Sequence, residues 1–433
     1  MPDDTAEVPT THSEDMQVDR IGYVDTEGRL FTIAPDGTDQ QPLVGEALVR
    51  MDVGGSPLAS SLRVESFFTW PTWSPDGSKI AASQVQVVND QIESSIQIID
   101  VADGRMARVY SNEDTRVYVA DNAPHYLYWS PDSRLLGFLI ATEQGLTLLV
   151  EDTHNPSVPV EVESDARLYF HWAPDGEAMV VHAGQAIQLV RRPFDTGASQ
   201  HIARSRGFFF VPALSPDGTL MAYTKGEVGE GEQETAYQLL VGKTGAAHEA
   251  RRLLQVGRFS AFRWSPDGSE LAVADTQTLD PGFFDRLRVV SADGATLRNI
   301  AEEEIIAFYW APAGDKIAWV GRADDERSLE WSVASRAGDS VQRLFRFQPS
   351  PDVVVMLRFF DQYAYSHSPW SPDSTRLVVA GTQDAASSGR NGQSPTGNRV
   401  FVLDASGAIT DVTISYPQDL TTQMLEYSGK RMP

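Results

Sequence analysis

The chain has no cysteine among its 433 residues. Disulfides, thiolate metal sites and cysteine nucleophiles are therefore excluded, and the absence fits a secreted or periplasmic protein. No run approaches the ~18 apolar residues that a membrane-spanning helix needs. No secretory leader is visible, and a leader or anchor ahead of Met1 is left open. Basic residues are scarce: 35 Lys and Arg stand against 60 Asp and Glu, a net charge of −25. Nucleic acid is a poor partner for such a surface, since phosphate binding needs a basic face. Anionic lipid is disfavoured for the same reason. The charge favours solubility and admits cationic partners or divalent metals at the surface.

What the chain does have is a repeat. Trp73-Ser74-Pro75-Asp76-Gly77 returns as Trp129-Ser130-Pro131-Asp132, Trp172-Ala173-Pro174-Asp175-Gly176 and Leu214-Ser215-Pro216-Asp217-Gly218. Trp264-Ser265-Pro266-Asp267-Gly268, Trp310-Ala311-Pro312-Ala313-Gly314 and Trp370-Ser371-Pro372-Asp373 follow. The seven copies lie 56, 43, 42, 50, 46 and 60 residues apart. A recurring unit of this size marks a repeat architecture. Length alone would allow two or three domains of ~100–200 residues; the repeat predicts one ring instead.

Ser-Pro-Asp-Gly suits a type I turn, with Pro setting φ at its second position and Gly favoured at its fourth. Aromatic and β-branched residues precede it and an apolar run follows, so the motif reads as strand, reversal, strand. Two further strands complete most units. In the first copy they are Ser95–Ile99 and Met106–Tyr110 around Asp103-Gly104; in the fifth they are Leu287–Val290 and Ala295–Arg298 around Asp293-Gly294. Asp-Gly between apolar runs is a hairpin signal. Four antiparallel strands per unit, repeated, predict an all-β propeller. The motif Trp is expected to pack between neighbouring blades, and the motif Asp to serve its turn.

These residues resemble the TolB-like propellers built from WD40-like Pro-Asp (PD40) repeats. The resemblance covers about residues 20–415. Leu214 in place of Trp and Ala313 in place of Asp are its two departures. It implies docking of proteins or peptides near the channel of an extracytoplasmic propeller, with no cofactor. TolB-like propellers also resemble the propeller half of prolyl-oligopeptidase-type enzymes. The Gly-x-Ser-x-Gly elbow and α/β domain of those enzymes are lacking here, which excludes that chemistry.

Residues 1–19 hold six acidic residues and no Lys or Arg, the composition of a disordered tail or tether. Residues 20–433 are read as a single propeller domain. Arg20–Val24, Leu30–Ile33 and Gln41–Val44 match the second, third and fourth strands of a blade whose first is missing. A segment containing Thr422–Tyr427 is expected to supply it, after Arg399–Leu403 and Ala408–Ile414 complete the last full unit. That would give eight blades joined through the chain ends and remove an open edge; seven blades with a loose hairpin is the alternative. Residues 45–66, 225–236 and 384–398 read as loops, where binding often sits.

Eight histidines include no close metal-binding pair. His125, His171 and His367 each fall within four residues before a motif Trp, on the inner strand expected to line the channel. Some polysaccharide lyases with related propellers gather His and Gln from several blades around a metal. The offsets here differ (four, one and three), so convergence is not required, and ordinary strand-end histidines are the plainer reading.

The most unusual stretch is Phe359–Trp370. Asp361, Gln362, Tyr363, Tyr365 and His367 make it a dense polar-aromatic cluster where a plain inner strand belongs. With His125 and His171 these are the candidate binding residues, for a protein or peptide partner at the channel mouth. An entry loop filled with aromatics for packing is the alternative. Paired carboxylates for glycosidic chemistry have too many candidates, among them Asp361, Asp285 and Glu65, to single out a pair. A carbohydrate-active lyase or hydrolase therefore stands as the second functional class.

Overall fold

All seven motif turns close on one bond, from the backbone N–H of the fourth residue to the carbonyl of the first. The distances run from 2.8 Å (Gly77 to Ser74) to 2.9 Å (Ser374 to Ser371). The fourth residue always has positive φ, +69° to +73° at the five glycines. Where Gly is replaced, Ser133 and Ser374 adopt +59° and +62°. Their hydroxyls accept from the backbone N–H of Asp76 and Ala313 in the preceding turn, at 3.1 and 2.8 Å. The serine thus compensates for a left-handed conformation that glycine adopts freely. The motif Asp binds its own turn, as expected: Ser74, Ser215, Ser265 and Ser371 donate to Asp76, Asp217, Asp267 and Asp373 at 2.5–2.6 Å. Ala313 shows the Asp to be dispensable for closing the turn.

The computed structural model describes residues 19–25, 27–44, 66–88, 91–115, 124–142, 145–194, 197–204, 211–228, 234–246, 249–278, 282–384, 399–411 and 423–427. The strands, in chain order, are Ile21–Val24 (β1), Leu30–Ile33 (β2), Gln41–Pro42 (β3), Ser66–Trp73 (β4), Lys79–Val88 (β5), Gln91–Asp100 (β6), Met106–Thr115 (β7), Pro124–Trp129 (β8), Leu135–Thr142 (β9), Gly145–Asp152 (β10) and Val160–Asp165 (β11). Leu168–Trp172 (β12), Ala178–Ala183 (β13), Ala186–Arg191 (β14), Ser199–Arg204 (β15), Ala213–Leu214 (β16), Leu220–Val228 (β17), Glu234–Lys243 (β18), Arg251–Val256 (β19), Phe259–Trp264 (β20), Glu270–Thr276 (β21), Arg286–Ser291 (β22) and Leu297–Ala301 (β23) continue. Ile305–Trp310 (β24), Lys316–Arg322 (β25), Leu329–Ser335 (β26) and Gln342–Pro349 (β27) precede two helices, Pro351–Arg358 (α1) and Phe360–Ser366 (α2). Arg376–Gln383 (β28), Arg399–Asp404 (β29), Ile409–Asp411 (β30) and Gln423–Tyr427 (β31) complete the described strands.

Five sheets are simple four-stranded meanders: β4–β7, β8–β11, β12–β15, β16–β19 and β20–β23. A sixth has the order β3-β2-β1-β31, with Ile21 opposite Tyr427 and Val24 opposite Gln423. The chain's last strand thus sits where the amino-terminal unit lacked one. The remaining sheet has seven strands, β24 to β30, because the end of β27 pairs with the end of β28. There the inner strand of the last unit is reduced to one bridge, Trp370 to Leu377.

Two sequence readings are corrected here. Phe359–Trp370 is neither strand nor loop: most of it is α2, and His367 caps that helix rather than lying on a strand. Ser350 caps α1, accepting from the Val353 N–H at 3.5 Å, and Pro351 occupies the first turn, where its missing N–H costs nothing. These start signals outweigh the β preference of Val353–Val355. At the ends of the expected 225–236 loop, Lys225–Val228 and Glu234–Ala236 are instead ladder, with Gly226 opposite Tyr237; residues 229–233 lie outside the described residues. Residues 1–18, 45–65 and 385–398 lie outside the described residues. Asp19, placed in the tail by the sequence reading, pairs with Arg376 at 2.5 Å.

The core lies in the seams between sheets. Trp129, Trp172, Trp264, Trp310 and Trp370 each donate their indole N–H to the inner strand of the preceding unit, at 3.0–3.3 Å. The acceptors are the carbonyls of Thr72, Tyr128, Ala213, Arg263 and Tyr309, in each case the residue just before the preceding motif copy. Apolar clusters join neighbouring sheets in succession, and one joins Val378, Ala380, Val400 and Val402 back to Ile21, Tyr23 and Ile33.

Candidate functional site

The inner strands converge on α2. Two of them carry the same irregularity. β4 is bulged between Thr69 and Thr72, and β8 between His125 and Tyr128. Inside these bulges Trp70 and Tyr126 hold φ of +57° and +50°. Left-handed backbone at a bulky residue costs on the order of 1–3 kcal/mol and concentrates at functional positions; bulges serve to re-aim side chains. Both aromatics arrive on the same ring. Trp70 stacks on Tyr363 with centroids 5.1 Å apart, and Tyr126 meets its edge at 5.4 Å. The Tyr126 hydroxyl also donates to the Gln362 carbonyl at 3.1 Å.

Tyr365 is clasped from the other side. The His171 ring of β12 lies 4.1 Å from it, and the Arg263 guanidinium of β20 lies 4.0 Å over its face. That cation–π contact holds Arg263 in place. Its Nη1 is buried and makes no hydrogen bond to the described residues. Asp361, half-buried on α2, is the nearby counter-charge. Burial pushes its carboxyl up to about 6, against a smaller opposing pull from the Gln362 N–H, its own N–H and Arg263. Phe360 anchors the start of the helix against Phe308 and Tyr309 of β24, at 5.0 and 6.3 Å.

His367 is fully engaged. Its Nδ1 lies 2.7 Å from Ser366 Oγ, and its Nε2 lies 3.2 Å from both the Pro71 carbonyl and Thr72 Oγ1. Burial pulls its pKa down to about 4, so the imidazole is neutral at pH 7. Burial likewise raises the phenols of Tyr126, Tyr169 and Tyr309.

The structure therefore gathers Asp361, Gln362, Tyr363, Tyr365, His367 and His171 around one short helix. The three histidines do not share a point: His171 faces Tyr365, His367 is bonded to β4, and His125 stands on β8 opposite Leu139. Among the described residues no three His, Asp or Glu side chains gather closely enough to hold a metal ion. Asp285 accepts from Thr276 Oγ1 at 2.8 Å, and Glu65 lies outside the described residues. Sequence reading missed Trp70, Tyr126, Tyr128, Tyr169 and Arg263. Their signal was positional: each stands one or three residues before the motif Trp or its counterpart.

The two shifted groups oppose each other in their pH dependence. A carboxyl raised to about 6 stabilises the fold fully below its ordinary value of 3.8, and that contribution is lost as pH climbs through 6. A histidine lowered to about 4 leaves stability intact above 6.5, with loss as pH falls toward 4. Asp361→Asn is expected to stabilise the fold at pH 7 but not at pH 4, by at most ~3 kcal/mol, taking about 1.4 kcal/mol per pKa unit, and so to raise the melting temperature only at the higher pH. Melting curves across that range check this; a pH-independent difference between variant and parent would contradict it.

Nothing matches among protein-family models or among curated proteins. Solved structures do match. A eukaryotic initiation factor is 12% identical, covering 96% of this chain and 100% of its own, with a TM-score of 0.57. The dihydro-heme d1 dehydrogenase NirN, in complex with DHE, is 11% identical over 98% and 76%, with a TM-score of 0.53. TolB from Acinetobacter baumannii is 15% identical over 80% and 82%, with a TM-score of 0.40. At these identities the likeness is one of fold alone. The chain has the β-propeller fold that the TolB-like resemblance implied.

Proposed function

We propose that residues 20–433 form a single eight-bladed propeller that acts outside the cytoplasm as a non-enzymatic binding scaffold. Residues 1–19 tether it, and a protein or peptide partner docks over the end of the channel that α1 and α2 fill. One observation carries this reading. Val355 and Phe359, four residues apart on this insert, are 39% and 53% exposed, although the helices beneath them are packed into the hub. Large apolar side chains held outward on a rigid support are a means of engaging another macromolecule. The half-buried Asp361 and Gln362 add polar groups beside them. Eight blades are supported by the β31–β1 pairing and by the unbroken succession of seam clusters.

Benzoylphenylalanine in place of Phe359 is the test. It should cross-link a discrete envelope protein, while the same group at Val158, 84% exposed on the rim, should not. Identical adducts from both positions would overturn the reading.

A second reading rests on Asp361, an acid whose pKa of about 6 suits proton transfer near neutrality. It makes the hub a carbohydrate-active site. Cleavage of an acidic polysaccharide, abolished by Asp361→Asn, would replace the scaffold with that enzyme.

A further inference from the structure

Six motif copies send an indole across the seam; the fourth copy sends Leu214. Leu214 is buried with Ala173, Ala178, Val180 and Leu189 of the preceding sheet, in the position that tryptophan takes elsewhere. It fills only part of that place. Beside it lies a cavity of about 240 Å³ between the two sheets. A cavity of roughly 150 Å³ admits a benzene ring, so this one has room for an indole.

Its chemistry is graded. The floor is apolar: Ala173, Ala178, Leu189 and Leu214. Thr244 Oγ1 also lines it, buried and with no hydrogen-bond partner among the described residues. The rim carries the exposed carboxylates of Asp175 and Asp217 from the two flanking motif turns. The hydroxyls of Ser215 and Thr219 and the Thr219 N–H hold Asp217 below the usual carboxylate range, which keeps it charged. Elsewhere a guanidinium ties neighbouring turns together: Arg336 reaches Asp267 at 2.7 Å, and Arg192 reaches Asp132 at 3.5 Å. Arg191 lines this cavity but makes no ion pair among the described residues. The seam thus lacks both its internal wedge and its charged clasp.

We propose that this cavity receives an aromatic side chain of a partner polypeptide, of indole size, with a neighbouring lysine or arginine resting on Asp175 and Asp217. The ring fits the place of the missing tryptophan, the Thr244 hydroxyl accepts an indole N–H, and the two carboxylates outnumber the one guanidinium at the rim. The site is separate from the hub and does not depend on what docks there.

The probes are N-acetyl-Trp-Lys-amide, N-acetyl-Trp-Glu-amide and N-acetyl-Ala-Lys-amide, with saturation transfer to the peptide as the readout. The lysine-bearing Trp peptide should receive saturation from the wild-type protein, the glutamate peptide much less, and the alanine peptide none. Leu214→Trp should abolish the signal and raise the melting temperature. It restores the residue that six sister positions already use, so the variant is expected to fold. The proposal is overturned if the wild type gives no signal with the Trp-Lys peptide, or if both Trp peptides respond alike. It is equally overturned if Leu214→Trp keeps the signal or melts lower than its parent.

Discussion

Trp172→Ala is expected to cost about 3–5 kcal/mol, the range for deleting a buried large aromatic, where the loss of transfer energy is compounded by the cavity left behind. Trp172 is 1% exposed, and its ring meets Phe194 edge-on at 5.8 Å. Its indole N–H donates 3.0 Å to the Tyr128 carbonyl of the sheet before it. Alanine therefore removes the wedge of one seam and leaves a buried acceptor unsatisfied. Trp172→Phe separates the two contributions: it keeps most of the apolar contact and deletes the N–H, which should cost about 1–2 kcal/mol. Denaturant titration followed by tryptophan fluorescence and far-ultraviolet dichroism measures both. If alanine and phenylalanine were equally mild, the indole seams could not be what holds neighbouring sheets together.

Removing residues 423–433 is expected to have the next largest effect. β31 gives β1 its only partner on that side, with Ile21, Gly22 and Val24 opposite Tyr427, Glu426 and Gln423. Without it the N–H and C=O groups of β1 face solvent as an unprotected edge, a template for association. Losing about three ladder bonds costs roughly 3 kcal/mol at ~1 kcal/mol each. The truncated protein should melt lower and run as oligomers in size-exclusion chromatography with light scattering. A synthetic peptide of residues 420–433 added in trans should restore the monomer by strand addition. An unchanged melting point with a monomeric elution would show that β31 contributes nothing to the stability of that sheet.

Most of the architecture was legible because the repeat is written in local chemistry. Ser-Pro-Asp-Gly dictates a reversal whatever surrounds it, and the alternation on either side dictates strands. The missing strand at the amino terminus could be inferred because Ile21–Ile33 has the pattern of a second and third strand with nothing before it. The hub could not be read in the same way. Val353-Val354-Val355 favours extended structure, and only a cap at Ser350 and packing against the inner strands fold it as helix. The sequence marked Tyr363 and Tyr365 as unusual. Trp70, Tyr126 and Arg263 carried only their position ahead of the motif tryptophans, because what brings them to the helix is convergence of strands more than 90 residues away in sequence. The bulges that turn Trp70 and Tyr126 inward have no glycine to announce them. Leu214 was visible as an exception to the motif, but the space it leaves depends on the neighbouring sheet.

The hub helix also dictates an order of assembly. Its partners come from far back in the chain: His367 bonds Thr72 across 295 positions, and Tyr126 reaches Gln362 across 236. As the polypeptide leaves the ribosome, amino-terminal portions fold first, so five meanders can form before residue 351 has been made. The hydrophobic faces of Trp70, Tyr126 and Tyr169 must then wait, uncovered, for the final fifth of the sequence. A nascent chain stalled before that point would present this aromatic lining to whatever chaperone is near.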